Sequence, residues 1–147
     1  MSDRPDDLRL YFEVFNEVGI IEQLSRALFE ARLPKGALVS HFSLLNHLMR
    51  VSDGRTPLEL ASAFQVPKTT LSHTLSLLQK RGWIEMRPNP GDGRSKRVWI
   101  TETGRRFREE AIASLAPDIA ALAREIDPSQ LEALLTHLRA KRVHLDE

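Results

Sequence analysis

The sequence contains no cysteine, which at once removes disulfide staples, thiolate nucleophiles, cysteine-ligated zinc and cysteine-based peroxide sensing. Aromatic residues are scarce, at 6%. No apolar run approaches the roughly 18 residues of a membrane span, so no membrane partner is expected. Paired carboxylates at a credible acid–base site, a glycine-rich phosphate loop and a nucleophile with an identifiable base are all missing, and an enzyme therefore finds no support. His41 with His47, and His137 with His144, are spaced too loosely to make a metal set. Packed or solvated histidines explain them at least as well. The expectation is no metal and no cofactor, with a metal-responsive regulator kept as an alternative. The opening MSDRPDDLRL has none of the basic, apolar and small-residue regions of a secretory signal, which points to the cytoplasm.

The 147 residues suit one domain spanning 1–147, and 41% apolar with 28% charged residues is the composition of a globular protein. The net charge of +1 conceals a polarised chain. Residues 66–108 hold ten cations against three acids, +7, so the remainder carries −6. A solvated surface can be unevenly charged by chance, but this concentration surrounds a proline- and glycine-rich loop. A polyanionic partner is the better explanation.

Apolar residues at spacings of three and four predict an amphipathic helix over Leu8–Arg32, closed by Leu33 and Pro34. A second helix carries Phe42, Leu44, Leu45, Leu48 and Met49, with Ser40 expected as its N-cap. In TPLELASAF, Thr56 precedes Pro57 and Glu59 follows three positions after Thr56, the pattern of a capping box. The connection Gln65-Val66 leads to Pro67, which opens a helix with Leu71, Leu75 and Leu78 on one stripe and Gly82 at its end. Two short helices joined by a tight turn make a helix-turn-helix.

The other face of the second of these helices carries Lys68, Thr69, Thr70, Ser72, His73 and Ser76. These are small or polar hydrogen-bonding groups that a merely solvated helix seldom selects, because most lower helix propensity. Trp83–Met86 and Arg97–Ile100 then read as two strands joined by RPNPGDGRSK, a hairpin wing whose prolines reduce the freedom of the loop. Arg87, Arg94, Lys96 and Arg97 supply its positive charge. Asp92 fixes the loop by receiving either Arg94 or the loop amides. Thr101 caps a further helical segment that Pro117 kinks or divides, and Asp127-Pro128-Ser129-Gln130 starts a last helix with Leu131, Leu134, Leu135 and Leu138 on one stripe.

The fold class is therefore mainly α with a small β-hairpin wing. A winged helix-turn-helix over 38–101 is flanked by helices over 5–35 and 103–145, whose apolar stripes suit a two-fold homodimer that presents two reading helices to one duplex. The reading places α-helical residues Lys68, Thr69, Thr70, Ser72 and His73 near base edges and phosphates of double-stranded DNA. Arg94 goes to the adjacent minor groove, and Lys96 and Arg97 to phosphates. A winged helix used as a protein-interaction adaptor is the main alternative.

DGRSKRVWITETGR, LPKGALVSHFSLLNHLMR and the helix-turn-helix TPLELASAFQVPKTTLSHTLSLLQKRGWIE, taken in register, resemble the MarR family of bacterial winged-helix transcription regulators over essentially the whole chain. The resemblance implies a homodimer on a near-palindromic operator, usually a repressor released by a small aromatic or phenolic effector. It also implies an effector pocket between the dimerisation helices and the DNA-binding lobe, here involving Phe12, Phe15, His41, Leu45 and Trp99. A stripe of aromatics at helical spacing is more often the mark of a packed core.

Overall fold

The computed structural model describes residues 5–146. Helix α1 (Pro5–Arg32) begins with Asp6 and Asp7 in its first turn, where negative charge favours the positive end of the helix dipole. Surface pairs four residues apart, Arg9–Glu13 and Arg26–Glu22, lie along it. Near its end Phe29 meets Phe42 edge to face, with ring centroids 4.7 Å apart.

Phe42 belongs to α2 (Val39–Arg50), which corrects the expected cap. Leu38, not Ser40, occupies the N-cap. The acceptors for the first amides come from elsewhere: the Leu38 N–H donates to His41 Nδ1 at 3.1 Å and the Val39 N–H to Glu30 Oε1 at 3.3 Å. An imidazole and a carboxylate from α1 thus do what a serine hydroxyl was expected to do.

Helix α3 (Pro57–Phe64) has the capping box the sequence predicts. The Glu59 N–H donates to Thr56 Oγ1, and the Thr56 N–H donates back to Glu59 Oε1, both at 3.2 Å. Gln65 ends the helix in the left-handed region at φ 52°, an uncommon place for a side-chain-bearing residue, and turns the chain into α4 (Lys68–Lys80). Pro67 stands at the N-cap of α4 rather than inside it.

Strands β1 (Ile84–Asn89) and β2 (Asp92–Ile100) pair antiparallel, with Met86 opposite Val98, Arg87 opposite Arg97 and Pro88 opposite Lys96. Both are longer than the sequence predicts, running almost to the tip and leaving only Pro90 and Gly91 between them. Pro88, Asn89, Gly93 and the alternating cations have little strand propensity, so only the pairing across the hairpin reveals these residues as strand. Arg55 adds a bridge to Val98: its carbonyl accepts the Val98 N–H at 2.8 Å, and Gly54 N–H returns a bond to the Val98 carbonyl at 3.0 Å. The base of the wing is thereby tied to the segment before α3.

Helix α5 (Glu102–Ala113) is capped by Thr101, whose Oγ1 accepts the Gly104 N–H at 3.0 Å. Leu44, Leu45 and Leu48 of α2 lie in the core with Leu60, Leu71, Leu75, Leu78, Ile84, Val98 and Ile100. Trp83 and Phe107 stack at 3.8 Å between ring centroids. Each fully buried leucine contributes about 1.5–3 kcal/mol through its removal from water. This core is the platform from which α4 and the wing project.

One compact unit ends at Ile112 and a second begins at Ala113. In the second, α6 (Ala116–Ala123) carries Pro117 in its first turn, and α7 (Pro128–Asp146) starts at the Asp127 carboxylate. Asp127 accepts the Ser129 N–H at 3.0 Å and its hydroxyl at 2.7 Å, which holds the carboxyl below its usual range. Leu131, Leu134, Leu135 and Leu138 of α7 are all exposed on the single chain. No helix among the described residues is long and apolar enough to cross a membrane.

Candidate nucleic-acid interface

Burial divides α4 by face. Leu71, Leu75 and Leu78 point into the core, while Lys68, Thr69, Thr70, Ser72, His73 and Ser76 are exposed. Apart from Thr70, whose carbonyl accepts from Thr74 Oγ1 at 3.2 Å, these outward residues make no side-chain hydrogen bond or ion pair within the chain among the described residues. Their donors and acceptors are available to a partner. The helix is held from behind at its C-terminal end, where Arg81 donates to the Lys35 carbonyl at 3.2 Å and lies 5.1 Å from the centre of the Trp83 ring.

The wing stands beside this face. A cleft of about 670 Å³ separates them, with Pro57, Leu58 and Met86 on its walls and Lys68, Arg94 and Lys96 among its cations. Asp92 Oδ1 accepts the backbone N–H of Arg94 at 2.9 Å, so of the two partners open in the sequence it takes the amide. The Arg94 and Lys96 side chains, both exposed, have no partner among the described residues. Arg97 donates through Nε to Asn89 Oδ1 at 3.2 Å. Arg87 is paired with Glu85 and lies 5.2 Å from the centre of the Trp99 ring, which anchors it to the surface of the hairpin.

The five residues expected at an effector pocket stand in different surroundings. Phe12 and Phe15 are exposed on α1, and Leu45 is fully buried in the core. Trp99 covers Gly54, where any Cβ would collide with its ring. His41 is buried with its Nδ1 committed to Leu38. Burial first, then the charges of Arg81 and His73, push its pKa below 6.5 and keep it neutral. A smaller cavity of about 310 Å³ touches α1, α2 and α4 and is lined by Arg26, Ser40, Ser43, Thr70 and Thr74 among others, with none of those five residues. Among the described residues no group of three or more histidine, aspartate or glutamate side chains is placed to hold a metal ion.

Two residues that position the wing were not marked by the sequence pattern. Asp53 reads as half of a turn, yet its Oδ1 also accepts the Ile100 N–H at 3.0 Å, a contact 47 residues away. Asn89 reads as loop, yet its amide group ties three parts of the hairpin tip together.

A sequence model of the MarR family matches residues 36–95, the second helix, the helix-turn-helix and most of the wing. Mutant MarR from E. coli is 25% identical, with a TM-score of 0.71 over 87% of this chain and 94% of its own. A structure of that mutant complexed with operator DNA is 24% identical, with a TM-score of 0.66 over 93% and 99% of the two chains. A MarR transcriptional regulator from Methanosarcina mazei Go1 shares the fold at 19% identity, with a TM-score of 0.76 over 89% and 94%. Matched segment and shared fold agree on the same architecture: residues 36–95 match the MarR family, and the chain shares the winged-helix fold of MarR transcriptional regulators.

Proposed function

We propose that the protein is a homodimeric, sequence-specific double-stranded DNA-binding regulator of transcription, acting as a repressor on a near-palindromic operator. The observation that carries this reading is the pairing of an uncommitted polar row on α4 with the two unpartnered wing cations Arg94 and Lys96. A helix of thirteen residues is about 20 Å long and fits the major groove, where Ser72 and His73 face base edges and Lys68 and Thr69 lie near phosphates. Arg94 enters the neighbouring minor groove, and Lys96 and Arg97 hold the backbone. That a mutant MarR from E. coli of the same fold has been captured with operator DNA supports the assignment.

The exposed apolar residues of α1, and separately those of α7, each pack against the second copy, and two copies present their α4 helices to successive turns of one duplex. A small aromatic or phenolic effector releases the DNA by binding more tightly to an arrangement in which the two reading helices are wrongly separated.

The deciding experiment is selection of bound fragments from a random duplex pool at several salt concentrations. A two-fold symmetric sequence should emerge, with affinity falling steeply in log salt. Recovery of no preferred sequence and a shallow salt dependence would instead indicate a protein-interaction adaptor. Titration of the selected duplex against a panel of aromatic acids then tests the effector.

A further inference from the structure

We propose that Asn89 is a positioning residue for DNA binding, one that shapes the wing tip and orients Arg97 without itself touching DNA. This role rests on the DNA-binding function proposed above. Asn89 lies at the end of β1, opposite Asp92, at the register shift beside Pro88. Its Oδ1 accepts the Gly91 N–H and the Arg97 Nε–H, each at 3.2 Å, and its Nδ2 donates to Ser95 Oγ at 2.9 Å. Ser95 Oγ in turn donates to the Asp92 carbonyl at 3.4 Å, and Asp92 Oδ1 takes the Arg94 amide at 2.9 Å. One carboxamide therefore links the turn, the returning strand and a cation.

The division of exposure fits this role. Asn89 and Ser95 are half-buried inside the hairpin tip, whereas Arg94, Lys96 and Arg97 around them are exposed. Bonding through Nε leaves both terminal amino groups of Arg97 clear and fixes the plane in which they point, which suits bidentate capture of a phosphate. Arg87 is its directly opposed like charge in the ladder. A wing held in one shape before binding loses less conformational freedom on entering the groove.

A positioning role and a contact role differ in salt dependence. Removing a phosphate contact lowers the slope of log affinity against log salt by about 0.9, while loosening the loop lowers affinity and leaves the slope where it was. In Asn89→Ala the backbone amides of Gly91, Gly93 and Arg94 in the free protein should fall from NMR order parameters near 0.85 to below about 0.6. Affinity for the selected duplex should drop about tenfold at unchanged slope, against a reduced slope in Arg97→Ala. Asn89→Asp keeps both acceptor bonds, with the Ser95 hydroxyl turning round to donate, and should restore order to the free tip.

A tip that stays rigid in Asn89→Ala overturns the proposal. So does a loosened tip that binds the duplex as well as the parent, or a slope that falls as it does for Arg97→Ala. If the parent selects no duplex, the DNA-binding function fails and the positioning role fails with it, while the order of the free tip still reports separately whether Asn89 organises it.

Discussion

Arg94 and Gly104 mark the two ends of what a single side chain decides in this molecule. The Arg94 side chain makes no hydrogen bond or ion pair among the described residues, so replacing it with alanine, which keeps the backbone bond to Asp92, should leave the melting temperature unchanged. In a gel-shift titration the same change should weaken duplex binding by tenfold or more and lower the salt slope by about 0.9. Changes at Ser72 or His73 should alter which sequence is preferred, since a good bidentate base contact is worth about 1–3 kcal/mol of discrimination. Gly104 is the converse. A Cβ there would overlap the Trp83 carbonyl oxygen and the Ile100 side chain, and the obstacle at Trp83 is backbone that cannot rotate away. Gly104→Ala should cost about 1–3 kcal/mol, measured by urea unfolding, as an overpacked core does. Sequence alone displays the positive charge of Arg94 but gives no hint of the closeness at Gly104, because that distance is set by how α5 returns over the start of β1.

Elements were legible where local chemistry defines them. Thr56, Pro57 and Glu59 specify the start of α3 within four residues, and Pro117 marks the division of the segment by opening α6 in its first turn, just after the break at 114–115. The start of α2 was misread because its cap comes from His41 and, across the loop, from Glu30, neither a residue type that signals a helix start. That borrowed cap has a pH dependence. His41 and His47 are both held below the ordinary value of 6.5, each first by burial, then by Arg81 and His73 for His41 and by Arg50 and Arg55 for His47. The unfolded chain consequently takes up protons more readily than the folded one, and stability that is complete above about 6.5 is lost as pH falls towards the depressed folded values. Melting temperature should decline between pH 7.5 and about 5.5. His41→Gln should begin lower, having lost packing, but decline less over the same interval. An equal decline in parent and variant would remove His41 from the account.

For the whole molecule, the apolar side chains left uncovered are the informative feature. Leu8, Phe12, Ile21 and Leu24 on α1 are each at least 60% exposed, far more than a helix in contact with water alone would carry. Leu24→Glu should give a monomer in analytical ultracentrifugation and greatly weaken binding to the selected duplex while each subunit's core remains folded. Moving the two half-sites apart by five base pairs, about half a helical turn, should have the same effect on binding with the dimer intact. The periodicity of α1 makes this face visible in the sequence, whereas what covers it is nowhere written in one chain. For the dimer proposed above, mass action then follows from that greasy flank. At protein levels below the subunit dissociation constant, promoter occupancy climbs as the square of total protein, so a twofold fall in synthesis empties the site about fourfold. A gene under such control would respond sharply to dilution even before any small molecule is sensed.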